Sequence, residues 1–299
     1  MKDLIRPPFA NYDVVVYFGG GLFIIPFLNR YIFDPLNLSW PEFNITLHTQ
    51  IETQIVSILC TLFSIYILGH MIAYAGSQIL EKLIDTVFGK ISSSIIISVY
   101  SRPYQRNEFI RAHIFKQIST IKANKAIFPT IVRLIPHFPV PPLYFIVYIF
   151  GIFGYYNSRI TPEILCLCKK KILKIGLDNL QISIKSQWFK PLEYCVICRS
   201  PTATARMYNY LVIGGLFRSL GTIFLFCTWI QLYFIIHAFI DGDFYLGAAF
   251  GSSNPLMIAF EYALSSLAFM FCIFSYIKFQ RRYAEEAIFA FAFDKDIVD

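Results

Sequence analysis

The chain has 299 residues, of which 56% are hydrophobic and only 15% charged, with a mean hydropathy of +0.56 and a net charge of +7. Ordinary soluble domains carry roughly 25% charged residues, so this composition leaves too little charge to cover a soluble surface. Lipid is the solvent that suits the excess apolar side chains. We therefore predict an all-α integral membrane protein with four transmembrane helices.

The first predicted span is residues 14–33, an apolar run long enough to cross roughly 30 Å of hydrocarbon. It directly follows Asp13 and lacks a small-residue cleavage site, so we expect it to be retained and not removed as a signal peptide. The second predicted span is residues 53–75, and its helix is expected to project past the membrane on the inner side. These two spans and the N-terminal tail make up the first predicted segment, residues 1–79.

Residues 80–207 are predicted to form a basic, mostly helical cytoplasmic insertion between spans 2 and 3. Residues 76–207 hold 18 of the 26 Lys and Arg residues and only six acidic ones. Within them, residues 127–156 are apolar but interrupted by five prolines, and both flanks are basic. A crossing there would place one basic flank outside, so we predict a re-entrant or interfacial segment. A buried helix of the cytoplasmic insertion is the alternative.

The third and fourth predicted spans are residues 210–240 and 256–279, within a predicted membrane segment 208–280. Residues 281–299 are predicted to form a cytoplasmic helical tail. Lys and Arg favour the cytoplasmic side of a membrane; they lie before span 1, between spans 2 and 3, and after span 4. We therefore predict a multi-pass protein of the cell (inner or plasma) membrane with both termini in the cytoplasm.

Four polar residues near the inner end of the second span recur at helical spacing: His70, Tyr74, Ser77 and Glu81. Residues spaced by three or four positions share one face of a helix. One interpretation is a polar track for ions, protons or a ligand. The other is a helix end that leaves the membrane and packs on the basic insertion.

Arg218 is the only charged residue in the third span, and Glu261 is the only one in the fourth span before Lys278 at its end. We predict that Arg218 lies at the inner interface as an anchor, where it could also meet Glu81, with a substrate ligand as the alternative. Glu261 lies roughly 8 Å inside the outer end of its span. A carboxylate there must be protonated, paired or hydrated, so we weigh a contact with His237 against a proton- or cation-handling site.

Four cysteines of the insertion form a CxC and a CxxC pair: Cys166, Cys168, Cys195 and Cys198. Four thiolates could hold a tetrahedral zinc ion, which is the one cofactor that the sequence suggests. Flanking lysines are expected to lower the thiol pKa values. The alternative is four unrelated cysteines that bind no metal.

Basic clusters in the insertion are predicted to bind anionic lipid headgroups or a cytoplasmic protein partner. Their members are Arg102, Arg106, Arg111, Lys169, Lys170 and Lys171. Binding to nucleic acid is the less favoured interpretation, because membrane proximity favours lipid.

The sequence contains no P-loop, no nucleophile elbow and no HExxH motif. We predict a non-enzymatic membrane component or membrane-perturbing effector of a multi-protein system, such as bacterial stress or antiviral defence. The first alternative is an oligomeric ion channel or transporter that uses His70, Glu81, Arg218 and Glu261. The second is an interfacial lipid-modifying enzyme with His70 and Glu81 as its acid–base groups.

Overall fold

The computed structural model describes residues 12–33, 51–82, 84–85, 135–140, 160–174, 189–241 and 255–293. Within these ranges the chain is helical almost throughout. The main helices are α1 (Asp13–Phe33), α2 (Ile51–Gly76, continued by a π-helical turn at Ser77–Glu81), α3 (Pro162–Lys174), α4 (Phe189–Arg199), α5 (Pro201–Asp241) and α6 (Pro255–Phe293). A short 3₁₀ turn lies at Ile135–His137.

Four of these helices, α1, α2, α5 and α6, are long and apolar enough to cross a membrane. This confirms the prediction of four such helices in a nearly all-helical chain. Helices α5 and α6 extend furthest beyond the predicted spans, because α5 begins at Pro201 and α6 continues to Phe293. The helix α6 thus extends past residue 279, where the predicted span 4 ends, into the predicted tail.

The early start of α5 has a local cause. Ser200 separates α4 from α5, and its amide donates a hydrogen bond to the Val196 carbonyl oxygen at 2.8 Å. Pro201 then occupies the first position of α5, where its missing N–H costs no helical hydrogen bond and its fixed φ suits a helix. The Thr204 amide donates to the Ser200 carbonyl oxygen at 2.9 Å, which begins the helical pattern.

The chain divides into two compact units. Unit 1 comprises Met1–Leu80, Pro136–Pro141 and Gly215–Phe274, and unit 2 comprises Glu81–Ile135, Pro142–Gly214 and Ser275–Asp299. Among the described residues, unit 1 therefore holds α1, α2 as far as Leu80, residues 215–241 of α5 and residues 255–274 of α6. Unit 2 holds α3, α4, the first part of α5 and the last part of α6.

In unit 1, α1 and α2 approach each other at two glycines. A Cβ atom on Gly69 would lie 1.7 Å from the Tyr17 carbonyl oxygen, and one on Gly21 would lie 1.9 Å from the Ile65 carbonyl oxygen. Only hydrogen fits at those distances, so these positions require glycine. Small residues that allow backbones to meet are a usual way for apolar helices to pack.

The outer surface of unit 1 is apolar. Large hydrophobic side chains are exposed along all four of its helices, among them Phe23, Leu59, Phe63, Met71, Phe226, Ile236, Phe260, Leu264, Leu267 and Phe271. In contrast, hydroxyl groups are buried inside it, including those of Ser219, Thr222 and Thr228. The Thr228 hydroxyl donates to the Leu225 carbonyl oxygen at 2.7 Å, so its burial leaves no donor unpaired.

Unit 2 has an apolar core built from α3, α4, α5 and α6. Its buried members include Leu165, Leu192, Val196, Met207, Ala287, Ile288 and Phe291. Two carboxylates are buried beside this core and both have partners. Glu193 accepts a hydrogen bond from the Tyr283 hydroxyl and pairs with Lys190 Nζ at 2.9 Å, while Glu285 lies 3.5 Å from the Arg282 guanidinium.

Candidate functional site

The predicted polar face of α2 changes its helical register at Ser77. His70 and Tyr74 are both exposed, and the Ser77 hydroxyl donates to the Tyr74 carbonyl oxygen at 2.7 Å. From Ser77 to Glu81 the helix widens into a π-helical turn. Because a π turn takes more residues per turn than an α-helix, Glu81 is displaced from the stripe that α-helical spacing predicts.

His70 belongs to an aromatic cluster that joins α1 and α2. Its ring stacks on Tyr17 with centroids 3.6 Å apart and planes inclined by 22°. Tyr66 meets His70 edge-on at 4.5 Å and also contacts the Tyr17 ring edge-on at 6.1 Å. These ring contacts place His70 between α1 and α2.

Arg218 on α5 reaches the start of α1. Its guanidinium donates a hydrogen bond to the Tyr12 hydroxyl over 3.4 Å, and its carbonyl oxygen accepts one from Thr222 Oγ1 at 2.9 Å. A long cationic side chain can lie along an apolar helix and place its charged end at a polar boundary. The Tyr12 contact favours the interpretation of Arg218 as an anchor, whereas its pairing with Glu81 stays a prediction.

Glu261 forms an ion pair with Arg30. The side chains are 23% and 48% exposed respectively, so the pair retains contact with its surroundings. Arg30 lies near the end of α1 and Glu261 in the first third of α6, and the pair therefore joins these helices. Arg30 was not among the predicted site residues.

Two further polar residues lie in the same part of unit 1. Gln231 Nε2 on α5 donates to the Tyr31 hydroxyl on α1 at 2.8 Å. The ring of His237 lies beside Tyr233, with centroids 5.8 Å apart. The predicted contact between His237 and Glu261 stays a prediction.

A turn at residues 136–140, which we call the proline turn, packs against α5 and α6 in unit 1. The Trp229 indole N–H donates to the Pro136 carbonyl oxygen at 2.6 Å. The Tyr262 hydroxyl donates to the Pro139 carbonyl oxygen. Two side chains of the long helices thus satisfy backbone carbonyls of a segment that is not α-helical. Apart from residues 135–140, the predicted re-entrant segment 127–156 lies outside the described residues.

His137 is the buried imidazole of the proline turn. It is 5% exposed, and its ring centroid lies 6.1 Å from that of Phe269. The ring approaches the backbone of Ile79, but within the described residues neither ring nitrogen makes a hydrogen bond of normal geometry. The sequence analysis missed this residue; the available signal was a histidine placed between prolines in an apolar run.

Burial dominates the chemistry of Cys168 in unit 2. Its thiol donates to the Ile288 carbonyl oxygen at 3.6 Å. Burial raises the pKa of the Cys168 thiol to about 12, although the nearby Lys171 acts in the opposite direction. Burial also raises the pKa of Cys195. The expectation that flanking lysines lower the thiol pKa is therefore wrong for Cys168, because desolvation outweighs the lysine charge.

The four cysteines do not come together as metal ligands. Cys166 and Cys198 are exposed, Cys195 is half-buried and Cys168 is buried. Throughout the described ranges, which include all four, no group of three or more His, Cys, Asp or Glu residues is placed to hold a metal ion. The predicted zinc site gains no support from this arrangement.

Lys171 has a structural partner at the end of α6. Its Nζ donates to the Phe291 carbonyl oxygen at 3.2 Å, and α6 ends at Phe293. The last carbonyls of a helix lack intrahelical donors and carry the negative end of the helix dipole, so a lysine there stabilises the helix terminus. Lys169 and Lys170 lie on the same helix α3. The other predicted headgroup-binding residues lie outside the described residues, namely Arg102, Arg106 and Arg111.

Comparison with protein-family models, with curated proteins and with solved structures found no match for this chain.

Proposed function

We propose that this chain is an integral membrane protein in which α1, α2, α5 and α6 each cross the bilayer. The observation that carries this proposal is the surface of unit 1, where side chains such as Phe63, Leu264 and Leu267 are exposed. In water, so large an exposed apolar surface would drive aggregation. In lipid it is the expected exterior, and the long helices satisfy their own backbone groups as the hydrocarbon requires.

We propose further that both termini and unit 2 lie in the cytoplasm, in the cell membrane. The distribution of Lys and Arg supports this orientation, since the flanks of the four helices place nearly all of them on one side. The segment around the proline turn is re-entrant in this proposal, because a hydrogen-bonded non-helical backbone is tolerated at membrane depth where it is enclosed by protein.

In this proposal the protein is a non-enzymatic component or effector of a multi-protein membrane system. The candidate polar residues support this function, since they contribute to contacts between helices: His70 with Tyr17, Arg218 with Tyr12, and Glu261 with Arg30. Unit 2 is then the module that meets a partner protein or anionic headgroups. Its exposed side chains include Lys190 and Tyr194, which suit either role.

An oligomeric ion channel is the second candidate, and the Arg30–Glu261 pair is the observation that favours it. An ionisable pair within an apolar helix bundle is often part of an ion or proton pathway. The two candidates differ in a flux assay on purified protein in liposomes. A channel gives ion flux that changes in Glu261→Gln, whereas a non-conducting component gives the leak of empty liposomes.

The native cysteines provide a direct test of the membrane proposal. We expect the chain to stay with membranes after alkaline carbonate extraction. Cys198 is exposed, so in a variant that retains it as the sole cysteine, an impermeant maleimide should label it only after the cells are permeabilised. A matched variant that retains the buried Cys168 alone should stay unlabelled until the protein is denatured.

Recovery of the chain in the soluble fraction would contradict the membrane assignment, and labelling of Cys198 on intact cells would reverse the orientation. The effector function is tested separately, by inducing expression and following membrane potential with a voltage-sensitive dye. Depolarisation supports a membrane-perturbing effector, and an unchanged potential at high expression counts against it.

A further inference from the structure

The proline turn is a non-helical piece of backbone held between apolar helices. Its partner Trp229 lies about 16 Å along the axis of α5 from Ile240, well inside the apolar run of that helix. Backbone groups left without a hydrogen bond are costly in apolar surroundings. The hydrogen bonds from Trp229 to Pro136 and from Tyr262 to Pro139 remove part of that cost, so they favour the docked position.

His137 is the titratable residue that the turn carries into unit 1. On α6, the ring of Phe269 contacts the imidazole. The Tyr262 hydroxyl on the same helix is titratable but neutral, and it contacts the turn at Pro139. From α5 the turn meets the uncharged Trp229, and from α2 the ring approaches the backbone of Ile79. Among the described residues, the groups that meet the imidazole from these three helices are aromatic rings and backbone, and they carry no charge.

These surroundings suit a neutral imidazole and oppose an imidazolium. His137 is only 5% exposed, so an imidazolium there would lose most of its hydration, and the uncharged groups that meet it from the described helices do not compensate. The same ring on an undocked turn would be hydrated and could accept a proton freely. Docking and protonation therefore oppose each other by linkage.

We propose that His137 is a proton-binding site whose protonation releases the proline turn from α5 and α6. At neutral pH the turn is docked and the imidazole is uncharged. On acidification the imidazolium favours the undocked turn, which frees the Trp229 indole and the Tyr262 hydroxyl. This adds a proton-controlled conformational change to the proposed membrane component and requires no transport activity.

Trp229 reports the position of the turn. The chain has three tryptophans, so Trp40→Phe and Trp188→Phe together leave Trp229 as the sole emitter. The full-length protein is placed in phosphatidylcholine nanodiscs, and its emission and acrylamide quenching are followed from pH 8 to pH 4.5. We expect the emission to shift and quenching to rise with the slope of a single proton, while far-UV circular dichroism keeps its helical signal.

The His137→Phe variant in the same background keeps an aromatic ring in the site and removes the titration. Its Trp229 signal should not respond to pH. A parent protein without a response, an equal response in His137→Phe, or a response accompanied by loss of helical signal would each overturn the proposal.

A second variant tests the hydrogen bond that holds the turn to α6, without changing the histidine. Tyr262→Phe removes the hydrogen bond to Pro139 and weakens docking. Because release then needs less protonation, the midpoint should rise by about 0.5–1 pH unit. An unchanged or lowered midpoint would contradict a role of this hydrogen bond in holding the turn.

Discussion

Unit 2 buries large apolar side chains such as Leu165, Leu192 and Ile288, whereas unit 1, besides its apolar contacts, buries the hydroxyl groups of Ser219 and Thr222. The surface of unit 1 is the more apolar in its exposed side chains, since large hydrophobic side chains are exposed along each of its helices. A core that gathers apolar groups is driven by water. In the proposed lipid surroundings, the helices of unit 1 would gain little from hydrophobic contact and would associate through close backbone approach, as at Gly21 and Gly69.

The two units also differ in how deeply their carboxylates are buried. Unit 2 buries Glu193 and Glu285 only with a hydrogen-bonding or cationic partner for each. In unit 1, Glu261 pairs with Arg30, and both side chains stay partly exposed. Four changes would break or sharpen this comparison, and they follow from the largest expected effect to the smallest.

The largest effect is expected from Leu192→Ala in the core of unit 2. Leu192 is 0% exposed, so truncation should cost roughly 2–5 kcal/mol through lost burial and a residual cavity. Alkylation of the buried Cys168 thiol in the native protein should accelerate by a factor of roughly 30 to several thousand if local opening limits it. The control Leu167→Ala truncates a side chain that is 37% exposed. Equal acceleration in both variants would show that unit 2 lacks a water-driven core.

Gly69→Ala tests the close backbone contact in unit 1. The added Cβ would lie 1.7 Å from the Tyr17 carbonyl oxygen, so α1 and α2 must move apart at a cost of roughly 1–3 kcal/mol. The midpoint of unfolding by SDS in mixed micelles should fall. Gly19→Ala is the matched control, because its nearest contact is 3.8 Å. A midpoint that falls equally in both variants would remove the argument for close approach.

The raised pKa of Cys168 predicts an alkaline loss of stability in unit 2. The unfolded thiol ionises near its ordinary pKa of 9.0, while the folded thiol stays protonated to about 12. Its stabilising contribution is thus complete below pH 9 and declines as the pH rises from 9 to 12, by about 1 kcal/mol at pH 10. Thermal melts of wild type and Cys168→Ala between pH 8 and pH 10 should converge as the pH rises. A constant difference between them would contradict the burial of this thiol.

The smallest effect is expected at the Arg30–Glu261 pair. Both side chains are partly exposed, so a double-mutant cycle of Arg30→Gln and Glu261→Gln should give a coupling of roughly 0.2–1 kcal/mol. Unfolding by SDS measures it in the four proteins of the cycle. A coupling of several kcal/mol would mean that the pair is far less hydrated than its exposure indicates, and zero coupling would leave it without a structural role.

Several features of the fold could be predicted because they depend on local pattern. The four long apolar helices of the described residues follow from the length of the apolar runs. The partner of Glu261 could not be predicted in this way. Arg30 lies 231 positions away in the chain, and only the adjacency of α1 and α6 brings the two together.

The sequence by itself determined which segments are apolar helices and where the charges gather, since both depend on residue type and spacing along one segment. The tertiary structure decided which polar residues contact each other and which are buried. Lysines beside Cys168 predicted a lowered thiol pKa, but the packing of α3 on α6 buries the sulfur and raises it. Likewise the prolines around His137 marked an unusual segment, and only its packing against Trp229, Tyr262 and Phe269 shows that this imidazole is enclosed. Burial of a side chain depends on contacts between segments that are distant in the sequence, so a local sequence pattern does not predict it.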